Sequence, residues 1–153
     1  MPALLAYGKD EFMACHSFTL ELPGSAGTDI HDVTAQVARA VADSGVCSGL
    51  VTVHVVGSTG SVTTIEYESG ALADLTALLD RLAPQGADYA HEQRWHDGNG
   101  HSHLRAALMG PSMTVPILEG RPVLGTWQQI IVLDFDNKPR QRRVLVQVLG
   151  EEA

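Results

Sequence analysis

The stretch Gly49-Leu-Val-Thr-Val-His-Val-Val56 is rich in β-branched residues and apolar at both sets of alternating positions. This composition is typical of a central strand that is buried on both of its faces. The glycine- and hydroxyl-rich turn Gly57-Ser-Thr-Gly-Ser61 follows it, and Val62–Glu68 then returns as a second strand. The composition therefore predicts that Gly49–Val56 is a central strand of the domain.

On the N-terminal side, the alternation of apolar and polar residues in Cys15–Leu22 predicts a strand that ends at Pro23. A helix is predicted to begin at Asp29, which is a good N-cap residue, and to end at Gly45. The apolar residues at helical spacing in this segment are Ile30, Val33, Val37 and Val41.

On the C-terminal side, a second helix is predicted from about Ser69, residues 84–100 lack any periodicity, and Leu104–Met109 is a short helix-prone segment. The three predicted strands that complete the chain are Met113–Leu118, Val123–Asp134 and Arg142–Leu149. This order of elements predicts an α+β fold, in which mixed, mostly antiparallel sheets pack against two main helices. We assign residues 14–150 to one domain and residues 1–13 to an N-terminal extension.

The composition restricts the class of protein. A chain of 153 residues with 44% hydrophobic and 18% charged residues is typical of one folded domain. The formal net charge of −8 argues against nucleic acid as the main partner, because phosphate binding needs a basic surface. No apolar run approaches the roughly 18–20 residues that span a bilayer, and the first residues do not resemble a secretory signal. Together with only two cysteines, Cys15 and Cys47, these features predict a soluble cytoplasmic protein without a membrane partner.

The segment from Tyr89 to His103 carries four of the seven histidines and has no regular pattern, which is typical of a functional loop. His101 and His103 are two residues apart, so on an extended segment both side chains point to the same side. Gly100 before the pair and the helix formers after it predict that the pair lies just before the helix. Both imidazoles could then bind one metal ion or one anion, while surface or helix-capping histidines remain the structural alternative.

Other segments offer polar groups for a ligand. In the turn after the central strand, backbone N–H groups and the hydroxyls of Ser58 and Thr59 could hold an anion, although a tight hairpin turn is the alternative. Glu66 could support a histidine or bind a metal, or it could lie on a solvent-facing edge. The remaining candidates are Asn99 in the histidine-rich loop, and Thr126, Trp127 and Gln128, which suit a pocket wall or a subunit contact.

Two more features of the sequence concern possible contacts. Gly125, next to that polar segment, permits a close approach of another backbone segment. The basic residues Lys138, Arg140, Arg142 and Arg143 are typical of a solvated turn and strand edge, although one of these arginines could reach an anionic ligand.

Several segments together resemble the YjbQ-like family, whose members often carry the label secondary thiamine-phosphate synthase. The motifs that carry the resemblance are Gly100-His-Ser-His-Leu-Arg-Ala-Ala-Leu-Met-Gly-Pro-Ser112, Thr114-Val-Pro116, Glu119-Gly-Arg121, Leu124-Gly-Thr-Trp-Gln-Gln129 and the tail Arg142–Gly150. The resemblance covers about residues 14–150. It implies a compact α+β fold that assembles as a homotrimer, with pockets at or near the subunit contacts.

The resemblance also implies a polar site fed by three motifs. Two of them fall on Tyr89 with His91, and on His101 with His103. The third departs from the family pattern, because Ser58 stands where the family has a histidine, and Glu66-Tyr-Glu68 adds carboxylates. A metal or acid–base centre in this chain would therefore use His91, His101 and His103 together with Glu66 or Glu68.

Two functions follow as hypotheses. The first is an enzyme, a minor thiamine-phosphate synthase or another activity on a small phosphate-bearing molecule. In it His91, His101, His103 and Glu66 act as acid–base groups, or the histidines bind a divalent metal, zinc or magnesium. The second is a non-catalytic trimer that binds a metal ion or a small anion. A third hypothesis gives the histidines a structural role in holding the loop.

Overall fold

Two antiparallel sheets and the helices between their strands form the structure, a computed structural model that describes residues 13–152. The strands are β1 (Ala14–Pro23), β2 (Asp29–Asp32), β3 (Val46–Val55), β4 (Gly60–Ile65), β5 (Ser112–Leu118), β6 (Arg121–Pro122), β7 (Gln129–Asp134) and β8 (Gln141–Glu152). The helices are α1 (Thr34–Ser44), α2 (Ser69–Leu82), α3 (Ala90–Trp95) and α4 (Gly100–Met109).

Five strands form the larger sheet in the order β1-β8-β3-β5-β6, and three form the smaller sheet in the order β2-β7-β4. Neighbouring strands in both sheets pair antiparallel. The predicted α+β class with mostly antiparallel sheets is confirmed. β3 is the middle strand of the larger sheet, as its sequence predicted.

The main core lies between the two sheets and α1, and it consists largely of valine side chains. Val51, Val53 and Val55 of β3 meet Val37 and Val41 of α1 there. A second apolar cluster joins α2 and α4 to the other face of the smaller sheet, through Leu79, Ala106, Ile131, Leu133 and Phe135. The smaller sheet is therefore covered on both sides.

This layering corrects one expectation about β3. Its outward-facing residues are not covered by another element in the described part of the chain, and Leu50 remains 47% exposed. The strand that is buried on both faces is β7, where residues 130–134 are all buried. The turn after β3 is not a hairpin turn either, because β4 pairs with β7 and lies in the other sheet.

The predicted start of the first helix at Asp29 was wrong by five residues. Asp29–Asp32 instead forms β2, which pairs with the residues of β7 from Ile131 to Asp134. Pairing with the edge of β7 provides backbone hydrogen bonds for this segment. This tertiary pairing outweighs the weak local preference for a helix. The helix begins at Thr34, whose N–H and hydroxyl both donate to Asp32 Oδ1. It ends as predicted at Gly45, which has a left-handed φ of 73°.

Three other predicted segments are shorter or more regular than expected. The predicted strand Val123–Asp134 is restricted to β7, because residues 125–128 form a turn closed by a hydrogen bond from Gln128 N to Gly125 O. The strand predicted over Val62–Glu68 ends at Ile65, since Glu68 caps α2 by accepting the N–H groups of its first turn. The aperiodic segment 84–100 contains α3.

Within residues 13–152, no helix combines the length and the apolar character that a bilayer span requires; the longest, α2, has 14 residues. The predicted N-terminal extension, residues 1–13, falls outside the described residues except for Met13.

Close packing of β3 against β8 requires glycine at two facing positions. Gly49 pairs with Gly150, and a β-carbon at Gly49 would lie 2.1 Å from Leu149 O and 2.7 Å from Gly150 Cα. No side-chain rotation relieves a contact with backbone atoms, so a methyl group must push the two strands apart. At Gly125 a β-carbon would make only ordinary contacts at 3.7 Å, so the close backbone approach that a glycine there permits does not occur.

We expect Gly49→Ala to lower the free energy of unfolding by roughly 1–3 kcal/mol, the usual range for overpacking of a tight site. Urea denaturation of the wild type and the variant measures the change. The matched control is Gly125→Ala, which should change stability by less than about 1 kcal/mol. Equal effects of the two substitutions would contradict the packing explanation.

Candidate functional site

The histidine-rich segment is held in place by the carboxylate of Glu92. This residue lies in α3, which ends at His96 with a left-handed φ of 51°. Both Glu92 oxygens accept backbone hydrogen bonds, from Gly98 N at 2.5 Å and from Gly100 N at 2.7 Å. Partial desolvation raises the pKa of Glu92, but these two N–H donors outweigh it, so that its pKa is lowered. The carboxylate is therefore charged at neutral pH and fixes the start of α4.

His91, Glu92 and Asp97 bring one ligand atom each within 4.8 Å of one another. His91 Nε2 lies 3.3 Å from Asp97 Oδ1, although the contact does not have the geometry of a hydrogen bond. The same Nε2 atom is buried and has no hydrogen-bond partner among the described residues. A buried ring nitrogen without a partner, next to two carboxylates, is a set of donors suited to a cation.

His103 lies beside this group and faces a cavity. Its ring centroid is 4.6 Å from that of His91, and the two ring planes are tilted by 48°. The cavity has a volume of about 240 Å³ and lies between α4 and the turn after β3. It is lined by Gly57, Ser58, Gly60, His103, Ala106, Ala107 and Pro111. The structure thus brings together three of the predicted site residues, His91, His103 and Ser58.

His101 does not join them. We expected His101 and His103 on an extended segment before the helix, but both lie in the first turn of α4. Each residue of an α-helix turns by about 100°, so the two side chains diverge by about 200°. His101 is only 3% exposed, its Nε2 lies 3.2 Å from Ser102 Oγ, and burial, followed by the nearby Arg105 cation, lowers its pKa. Burial therefore favours the neutral form of the His101 imidazole.

Two predicted ligand-binding residues are buried and hold turns instead of facing the cavity. Thr59 Oγ1 donates to Asp136 Oδ2 at 2.9 Å and accepts from Arg142 Nη2 at 2.7 Å. Asn99 Oδ1 accepts the N–H of Asn137 at 3.3 Å. These bonds fasten the turn after β3 and the loop before α4 to the β7–β8 connection.

Four other predicted residues lie away from the histidines. Gly60 pairs with Asp134 and Ile65 with Gln129, so the two ends of β4 are roughly 17 Å apart. The Ser58 turn precedes the first end, whereas Glu66 and the segment Thr126–Gln128 lie at the second. Gln128 Nε2 donates to Thr64 Oγ1 at 3.2 Å, and the Trp127 side chain is 71% exposed. A single chain does not bring these residues to the cavity.

The segment Asp97–His103 was the predicted ligand site, but the sequence did not indicate the role of Glu92 or the burial of Arg142. Arg142 is 5% exposed and pairs with Asp134 Oδ1 at 2.5 Å. A signal for this burial exists in the sequence, because Arg142 falls at the same alternate positions as Val144, Val146 and Val148 of β8. The sequence gives no comparable indication of the role of Glu92. Its carboxylate accepts the N–H groups of Gly98 and Gly100 only because the chain turns back toward α3.

Comparison with known proteins finds one family over almost all of the domain. A family model described as UPF0047 protein YjbQ-like matches residues 18–151. A UPF0047 protein of Methanothermobacter thermautotrophicus is 37% identical over 140 residues, which are 92% of this chain and 96% of that protein. One from Archaeoglobus fulgidus is 39% identical over 130 residues, covering 85% and 98%.

Solved structures agree with this assignment. The crystal structure of a YbjQ-like protein from Sulfolobus solfataricus has a TM-score of 0.87 at 28% identity and covers 92% of this chain and 100% of its own. A hypothetical protein from Aeropyrum pernix has a TM-score of 0.83 at 30% identity, with coverage of 89% and 99%.

The lowered pKa of His101 predicts a pH dependence of stability. Its pKa in the folded chain lies below the ordinary value of 6.5, so on acidification the unfolded chain binds a proton that the folded chain does not. The free energy of unfolding should therefore fall as the pH drops from 7 through 6.5 toward 5. In His101→Gln this slope should be shallower, and in the control His96→Gln it should be unchanged. Urea denaturation at several pH values measures the slopes, and a wild-type slope in His101→Gln would contradict this assignment.

Proposed function

The chain belongs to the YjbQ-like UPF0047 family, and we propose that it is an enzyme that acts on a small phosphate-bearing molecule with the help of a divalent metal ion. The observation that carries the proposal is the convergence of His91, Glu92 and Asp97 within 4.8 Å, beside the cavity that His103 faces. The free thiols of Cys15 and Cys47 suit a reducing, cytoplasmic compartment.

The chemistry of the donors favours a transition metal such as zinc over magnesium. Magnesium prefers six oxygen ligands, whereas zinc binds imidazole nitrogen and carboxylate oxygen together. Ligating carboxylates are usually fixed by further hydrogen bonds, and Glu92 already accepts two from the backbone. The ligands that we propose are therefore His91, Glu92 and Asp97, and His101 is no longer among them because it lies on another face of α4.

The remaining residues suit work on a bound phosphate ester. A metal in this position would supply Lewis-acid polarisation of a phosphoryl oxygen. His103, at the cavity, is placed to hold or move a proton on the ligand, and its neighbour His91 limits how its ring can turn. Ser58 is exposed at the cavity rim and can donate a hydrogen bond to the same ligand.

Thiamine-phosphate synthesis, the activity that the resemblance implies, is the first reaction to assay. It joins a pyrimidine pyrophosphate to a thiazole phosphate with release of pyrophosphate, so both substrates carry the group that the cavity would bind. The alternative, a non-catalytic metal- or anion-binding protein, would favour a closed ligand set. Three protein ligands leave a coordination position open, which is typical of catalytic sites and favours the enzyme.

We also propose that the chain assembles as a homotrimer, as the resemblance implies. The outer face of the larger sheet supports this, because Leu50 and Leu149 face each other across β3 and β8 and are 47% and 40% exposed. Leu118, on β5, extends the same apolar surface. Exposed contiguous leucines on a sheet face are typical of subunit contacts.

Metal binding tests the proposed site directly. We expect the purified wild type to bind about one zinc ion per chain, and His91→Ala and Asp97→Asn to weaken zinc binding at least about tenfold. The matched controls are His101→Gln and His16→Ala, which should keep the wild-type affinity. Isothermal titration calorimetry and elemental analysis give affinity and stoichiometry, and thermal melting checks the fold. Zinc binding that survives in Asp97→Asn but is lost in His101→Gln would contradict the proposed ligand set.

The solution mass tests the proposed assembly. Light scattering after size-exclusion chromatography should give about three times the chain mass of 16.3 kDa. Leu50→Lys should shift the mass toward that of a single chain, because a charge would be buried in the contact. Leu82→Lys, at an exposed leucine of α2, is the control and should leave the mass unchanged. A wild-type mass of 16.3 kDa would contradict the proposal.

A further inference from the structure

One wall of the cavity that His103 faces gives a ligand no hydrogen-bond donor from the described residues. It consists of Ala106, Ala107 and Pro111, whose side chains are apolar. The two alanines lie beyond the first turn of α4, where backbone N–H groups bond within the helix. Pro111 has no N–H, and its carbonyl oxygen accepts from Val55 N at 2.8 Å. A phosphate group against this wall would lose water without gaining a donor, so the wall suits an uncharged group.

The turn after β3 forms the opposite wall, and two of its lining positions require glycine. Gly57 has a φ of 142°, a conformation that other residues rarely adopt. A β-carbon at Gly60 would lie 2.9 Å from Val55 Cγ1 and 3.1 Å from Leu133 O, so a side chain there would displace its neighbours. The cavity volume of about 240 Å³ exceeds the roughly 150 Å³ in which an apolar cavity can bind benzene. The space between the two walls therefore admits one small ring with a substituent.

The imidazole that α4 contributes to the lining stands at one end of the apolar wall. His103 and Ala107 are four residues apart, so their side chains lie on the same side of α4, about 6 Å apart along its axis. His91, a ligand of the proposed metal, has its ring centroid 4.6 Å from that of His103. Pro111 follows Ala107 beyond the end of α4. The lining therefore changes from imidazole near the proposed metal to apolar side chains toward Pro111.

We propose that the part of the cavity lined by Ala107 and Pro111 binds a compact, uncharged apolar group of the ligand, and that the Ala107 methyl group sets the size of the group that fits. The phosphate at the other end of the ligand, beside His103 and Ser58, rests on the proposed function, whereas the apolar subsite does not. Removal of apolar surface from water supplies the affinity for this group. The lining thus favours a phosphate ester with one small apolar substituent over inorganic phosphate or a polyphosphate.

Isothermal titration calorimetry with two probes tests the subsite. We expect the wild type to bind benzyl phosphate at least about tenfold more tightly than inorganic phosphate, because the ring is buried. Ala107→Leu, which keeps a good helix former in α4, should reduce this ratio to less than about threefold and leave the affinity for inorganic phosphate unchanged. The matched control Ala77→Leu, at an exposed alanine of α2, should keep the wild-type ratio. Weaker binding of inorganic phosphate by Ala107→Leu, or a wild-type ratio in that variant, would overturn the proposal.

Benzyl alcohol, which carries no phosphate, separates this result from the proposed function. In wild-type protein with carbon-13 in its alanine methyl groups, we expect the signals of Ala106 and Ala107 to shift and saturate as benzyl alcohol is added. The Ala77 signal is the internal control and should not move. Unchanged signals of Ala106 and Ala107, or equal shifts of Ala77, would overturn the proposal. The same shifts in a protein that fails to bind zinc would support the apolar subsite and contradict the proposed function alone.

Discussion

The ion pair between Arg142 and Asp134 is the contact on which the rest of the site depends. Arg142 belongs to the larger sheet and Asp134 to the smaller one, so the pair joins the two sheets at one end. Thr59, which bonds to the same guanidinium, ties the turn after β3 to this junction. Removal of one partner would leave a buried charge uncompensated, which typically costs about 3–5 kcal/mol. The geometry of the cavity is therefore a product of how the sheets are joined.

The loop before α4 depends on the same junction. Asn137 lies between Asp136 and Arg140 of the ionic cluster in the chain, and its side-chain amide donates to Asp97 O at 2.6 Å. Glu92 fastens the other side of the loop through Gly98 and Gly100. His91 and Asp97 thus approach each other because two separate parts of the fold position them, and neither position is a local property of the sequence.

The sequence alone predicts the strands with strong patterns, and it predicts the segment that contains the candidate site. Alternation of apolar and polar residues predicts β1, and β-branched residues predict β3. A C-terminal glycine predicts the end of α1 at Gly45. All three features are local in the sequence. Local sequence patterns do not predict the start of α1 or the orientation of His101 and His103. Asp29 joins a sheet edge that only the folded chain provides, and a change from extended to helical backbone at Gly100 turns the two histidines apart. Thr126–Gln128 match family motifs, but sequence does not say which end of β4 they reach.

The position of β8 has a consequence for how the chain reaches this structure. β8 lies between β1 and β3, so β1 cannot join the larger sheet until β8 has paired with it. His16 and Glu152, which bond across β1 and β8, are 136 residues apart in the chain. Loops of that length close late and slowly, so folding should be slow relative to helical domains of this size. During synthesis, β1 has no described strand partner until β8 emerges, and until then its unpaired backbone groups are open to pairing with another chain.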